Sequence, residues 1–199
     1  MELVVFVDFN SAGARLALHP TRDLAGELGI GIDWRPFSRK PKKRSGAGAR
    51  SKGATHARLR ADYRRWEEAF YAEQQGIALV YPDPEQEAFA ANAGLAWLCG
   101  QGCAGPDQCD AYVKRVFERV WSGAMDPRDT RSVRESIADA GCNTAGFERW
   151  LELDAERELE SHRRQAFEWG AVDVPGYVAA GEPFVGRQNL PIIRSLLTA

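Results

Sequence analysis

The stretch Leu3-Val4-Val5-Phe6-Val7-Asp8-Phe9-Asn10-Ser11 decides how this chain is read. Leu3 to Phe9 is a short apolar run rich in valine, with the length and composition of a buried strand. Ser11 stands where a helix can begin, since its side-chain oxygen can accept a backbone N–H of the first turn. Ala12 to Leu28 reads as that helix, with Leu16, Leu24 and Leu28 near helical spacing, and Gly29 fits the position that ends it. Ile30 to Phe37 reads as a second strand. The unit is β-α-β, a crossover that is nearly always right-handed.

A β-β-α unit closes the chain. Gly176 to Ala180 reads as a strand, Ala180-Gly181-Glu182 as a turn, and Pro183 to Val185 as a second, edge strand. Asn189 is placed to cap a last helix with Pro191 in its first turn and Ile193, Leu196 and Leu197 on its apolar face. Between the two ends lie helical patterns. Leu59, Tyr63, Trp66 and Phe70 give one apolar face, and Glu85 to Leu98 gives a helix breaking at Gly100. Tyr112, Val113, Val116, Phe117, Val120 and Trp121 mark a further helix. Ser132 and Glu135 fit a capping box, with Thr130 an alternative start. Thr144 can cap a short helix carrying Phe147, Trp150 and Leu151, and Asp154 to Trp169 forms a longer one ended by Gly170. Trp97, Trp121, Trp150 and Trp169 fall at helical positions and are expected in the core.

At 199 residues the chain can bury a sizeable core, and 44% hydrophobic with 27% charged residues is ordinary for a globular protein. A net charge of -2 gives no global attraction to nucleic acid or membrane. No run of 18 apolar residues is present, and the start MELVVFVDFN lacks the basic region of a signal peptide. A cytoplasmic location with reduced thiols is the expectation. Arg39 to Lys52, RKPKKRSGAGARSK, holds seven basic residues and no acid, and reads as a mobile loop. Binding of nucleic acid or another polyanion through it is a weaker reading than a solvated loop. Cys99, Cys103 and Cys109 cluster in LCGQGCAGPDQC without C-x-x-C spacing. Zinc there would need a fourth ligand such as Cys142, so no metal is expected. A disulfide between Cys103 and Cys109 competes with free thiols. His19, His56 and His162 are isolated and read as surface or structural.

Three passages carry a family resemblance: Val7 to Ser11; HARLRADYRRWEEAFYAEQQGIALVYP at 56–82; and GAVDVPGYVAAGEPFVGRQNL at 170–190. Together they resemble the DsbA-like thioredoxin-fold superfamily, and within it the branch of 2-hydroxychromene-2-carboxylate isomerases and kappa-class glutathione transferases. The resemblance implies an α/β, thioredoxin-like fold with a large all-helical insertion. Residues 1–38 and 171–199 would form the thioredoxin-like domain, 39–52 the basic loop and 53–170 the helical insertion.

No cysteine lies in residues 1–98, so dithiol exchange at the first helix is excluded. The resemblance implies a borrowed thiol instead. Glutathione, or another low-molecular-weight thiol, would be held with its thiolate on Ser11 and would add reversibly to a conjugated double bond of a small, aromatic substrate. Val174-Pro175 matches the family's cis-proline step. Val174 and Pro175 would bind the cysteinyl part of the cofactor, and Arg187 with Gln188 would face its polar end. A homodimer is also implied. The chain departs from the family at Ala12 and Gly13, where proline and an aromatic residue are usual, and at Gln188, which stands for an acidic residue. Lys40, Lys42 or Lys43 could meet a carboxylate. Two rival readings are a non-catalytic binding module and a redox sensor using the Cys99–Cys109 cluster.

Overall fold

Strand β1 (Glu2–Val7) runs parallel to β2 (Gly31–Pro36) and antiparallel to β3 (Gly176–Ala179), which pairs in turn with β4 (Glu182–Val185). The sheet order is β2-β1-β3-β4, so β4 is an edge strand. The computed structural model describes residues 2–38, 52–82, 87–100 and 105–198. Helix α1 (Ala12–Leu28) makes the crossover between β1 and β2. Helices α2 (Lys52–Gln74), α3 (Phe89–Gly100), α4 (Pro106–Trp121), α5 (Thr130–Asp139), α6 (Phe147–Leu153) and α7 (Ala155–Glu168) stand between β2 and β3. A 3-10 turn (Arg187–Asn189) and α8 (Leu190–Leu197) follow β4. The basic segment at 39–51 and Cys103 lie outside the described residues.

The unbroken apolar run of β1 is explained by burial on both faces. Leu3, Val5 and Val7 point into a core shared with Trp34, Tyr177 and residues of α1, α3 and α4. Phe6 points the other way, into a smaller cluster with Phe37, Ala166, Ala171 and Val174. This is strand alternation with both sides covered.

Helix α1 contains Pro20, which has no N–H to give the carbonyl of Leu16 one turn earlier. The side chain of Gln75, just past α2, donates Nε2–H to that carbonyl at 3.0 Å. A proline that would weaken a free helix thus becomes the point where α2 is tied to α1. Only the C-terminal end of α2 is seated in this way, with Ala72 buried. Its stripe Leu59, Tyr63, Trp66 and Phe70 is 43–60% exposed and faces outward, stacked ring on ring.

Several cap assignments are corrected. The N-cap of α5 is Asp129, which accepts from the amides of Arg131 and Ser132, while Glu135 pairs with Arg131. A carboxylate satisfies two amides where a serine hydroxyl satisfies one. Thr144 does not cap α6; Gly146, at φ 84°, precedes it. Asn189 holds the N-cap position of α8, but its side chain makes no capping bond and its Nδ2 donates to the carbonyls of Val185 and Gly186. Trp169 is 37% exposed rather than core, packing edge-on against Phe6 beneath the Arg35 guanidinium.

Candidate functional site

The turn from β1 into α1 is held from behind by the inserted helices. Asn92 of α3 is fully buried; its Oδ1 accepts from the Phe9 amide at 3.2 Å and its Nδ2 donates to Asp8 Oδ1 at 3.2 Å. Trp121 of α4 donates its indole N–H to the Phe9 carbonyl at 2.9 Å. Both polar groups of the Phe9 peptide position are therefore satisfied by the insertion, in a region water does not reach. Replacing Asn92 by leucine keeps the volume but leaves the Phe9 N–H without that acceptor. The expected loss is roughly 2 kcal/mol in chemical denaturation.

Ser11 is buried and is the N-cap of α1, its Oγ accepting from the Ala14 amide at 3.3 Å. The cap uses one lone pair of the hydroxyl and leaves its O–H free to donate elsewhere. The first-turn amides of a helix have no carbonyl one turn back and carry partial positive charge. Across from them the Val174–Pro175 peptide is cis. A methyl group built on Gly13 would lie 3.5 Å from Pro175 Cδ and 3.8 Å from both Ser11 Oγ and the Val174 carbonyl. Gly13 is therefore the open space between serine and proline. Those distances are ordinary contacts, so Gly13→Ala is expected to fold, to raise stability by about 0.5–1 kcal/mol through helix propensity, and to narrow the gap. A thermal melt with a ligand titration reads both effects.

This corner opens into a cleft of about 610 Å³ bounded by α1, α2, the turn before β3 and the segment after β4. Arg187 and Gln188 line it, together with Val174 and Pro175. The Arg187 guanidinium lies over the Tyr71 ring at 3.1 Å from its centroid. Burial pulls its pKa down, opposed by Tyr71 and Glu67. Gln188 folds back over Gly186 and donates Nε2–H to the Val185 carbonyl at 3.0 Å, so its Oε1 remains an acceptor. The far wall was not anticipated. Arg64, Arg65, Glu68 and Tyr71 of α2 face the cleft, opposite the helix's aromatic stripe, with Tyr81 beneath Arg65 at 4.2 Å and bonded to Glu68 at 3.1 Å. The signal was present, since these residues recur at helical spacing.

Among the described residues no three His, Cys, Asp or Glu side chains are grouped to hold a metal ion. No helix among them is long and apolar enough to cross a membrane. Cys99 and Cys109 are reduced thiols, and His162 is buried beside Glu158 rather than at the cleft.

Sheet order, inserted helices and a helix N-terminus facing a cis-proline define a thioredoxin-like domain with a serine hydroxyl at that helix N-terminus. The chain belongs to the DSBA-like thioredoxin domain family, whose profile matches residues 2–198. It is similar to a 2-hydroxychromene-2-carboxylate isomerase of Sphingobium xenophagum, 27% identical over 201 residues, covering 96% of this chain and 95% of that one. A solved 2-hydroxychromene-2-carboxylate isomerase superposes with a TM-score of 0.75 at 24% identity, covering all of this chain and 95% of the other. The cytosolic disulfide reductase DsbM of Pseudomonas aeruginosa, solved with GSH, gives a TM-score of 0.63 at 16% identity over all of this chain and 98% of its own.

Proposed function

We propose that this chain is a thiol-dependent isomerase that holds glutathione, or a related low-molecular-weight thiol, in the cleft beside Ser11. The observation that carries the reading is Ser11 itself: a buried hydroxyl at a helix N-terminus, with its O–H unused by the cap, opposite a cis-proline across the gap at Gly13. The relation to a 2-hydroxychromene-2-carboxylate isomerase along almost the whole chain supports an isomerase, and a fold neighbour solved with GSH supports the thiol.

The residues present fit such a group. Gly13 leaves room where a side chain would narrow the corner, and the Val174 carbonyl borders the same space. Ser11 would donate its O–H to the sulfur, and the α1 N-terminus would favour the negative charge, together lowering the thiol pKa. Val174 would offer its backbone carbonyl to the cysteinyl part, and Pro175 would pack beside the sulfur. Gln188 Oε1 would accept from an ammonium group, without the strength of an ion pair. Arg187 would meet a carboxylate. When bound, the thiol supplies a nucleophile that adds reversibly to a conjugated double bond, so that rotation about the former double bond changes the substrate's geometry. Tyr71, Tyr81 and Trp121 line the cleft and suit a flat aromatic substrate, with Arg64 and Arg65 available to its carboxylate.

Titration calorimetry with glutathione tests the reading. Saturable one-site binding that Ser11→Ala weakens is expected. Absence of heat from a folded protein overturns the glutathione version, and the same titration with other small thiols then tests the broader one.

A further inference from the structure

On a different face of the molecule, Cys99 at the end of α3 and Cys109 near the start of α4 meet. The two thiols are close enough to interact, and the Cys99 S–H donates to the Trp34 carbonyl at 3.3 Å. Both line a cleft of about 370 Å³ that includes Asp33, Arg35, Glu158 and His162 and has no residue in common with the Ser11 cleft. Cys109 is buried and Cys99 half-buried, but the cleft gives a small reagent access to the pair.

We propose that Cys99 and Cys109 form a reversible disulfide, driven by exchange with the disulfide of a small thiol. The two sulfurs differ in a way that orders the steps. A hydrogen bond to the Cys109 thiolate, made when the Cys99 S–H turns from the Trp34 carbonyl, pulls the Cys109 thiol below its ordinary value, against burial and the charges of Asp33 and Asp110. The same bond, with burial, raises the Cys99 thiol. Cys109, as thiolate, attacks the small disulfide, forms a mixed disulfide and releases one thiolate, which takes up a proton. Cys99 loses its proton and attacks the Cys109 sulfur, closing the protein disulfide and releasing the second thiol. Two protein thiols are oxidised and one small disulfide is reduced to two thiols. No metal or further oxidant is needed.

The staple has a structural consequence at a distance. It joins α3 and α4 at one end, while Asn92 and Trp121 at their other ends hold the turn before Ser11. Oxidation would thus stiffen the two helices that position the turn. This proposal does not depend on what Ser11 binds.

The test is exposure of the whole protein to bis(2-hydroxyethyl) disulfide, then peptide mapping without reduction. A cross-linked peptide joining Cys99 to Cys109 is expected, with loss of two hydrogens from the intact mass. The melting temperature should rise by roughly 5–10 °C over the reduced form, as closing a short loop predicts. Cys99→Ser should stall at a mixed disulfide on Cys109, Cys109→Ser should prevent rapid reaction, and Cys103→Ser should change neither product nor rate. A link through Cys103 or Cys142, or thiols left free after the reagent has reacted with denatured control protein, overturns the proposal.

Discussion

Ser11→Ala is expected to lower turnover of the proposed thiol-dependent isomerisation by about 10²–10³-fold, the usual effect of removing one donor from a developing or resident anion in a dry site. The same substitution removes the cap on the Ala14 amide and should cost about 1 kcal/mol of stability. These two effects separate the roles of the residue. A fall in stability with unchanged turnover would leave Ser11 as a cap and nothing more. The thiol pKa of bound glutathione, followed by thiolate absorbance, should also move up toward the free-thiol value near ~8.5 in the variant. Ser11→Cys gives a complementary result. A cysteine at this helix N-terminus should react with an alkylating agent at a pH below that required by a free thiol.

Gly94→Ala is expected to destabilise the protein by roughly 3 kcal/mol. A Cβ at Gly94 would collide with the Tyr112 hydroxyl and come within 2.8 Å of Tyr112 Cζ and Val133 Cγ1. Neither neighbour can retreat. Tyr112 is fully buried, donates its O–H to the Ala91 carbonyl at 2.8 Å and packs edge-on against Phe9; Val133 is fully buried as well. The helix-propensity gain of alanine, about 1 kcal/mol, is too small to offset this. The melting temperature should fall by roughly 6–12 °C. Tyr112→Phe removes the atom in the closest collision, so the double variant should lose less stability than the sum of the singles. Strict additivity would show that the strain is relieved elsewhere.

Both predictions depend on the same arrangement. The helices between β2 and β3 do more than fill space, since Asn92 and Trp121 satisfy the Phe9 peptide groups next to Ser11, and Tyr112 packs on the Phe9 ring. A variant in the insertion can therefore act on the cleft through the turn, which is why Asn92→Leu belongs with the Ser11 variants in any activity series.

The sequence by itself determined the order of elements at both ends, because each end is written in local signals. The run Leu3–Val7, the serine before α1, the glycine after it and the Ala180-Gly181 turn depend on residues close in sequence, and these appear where expected. It also determined that the first turn holds a hydroxyl and no thiol. What it left open was which face of α2 meets the cleft. Helical periodicity locates a stripe but does not say what covers it, and here the aromatic stripe faces out while Arg64, Glu68 and Tyr71 face in. The support of the turn by Asn92 and Trp121 and the use of the Pro20 gap by Gln75 were decided only in three dimensions. Each is a contact between elements brought together by packing. The sequence lists the donors, acceptors and thiols; only the tertiary structure sets which of them come within reach.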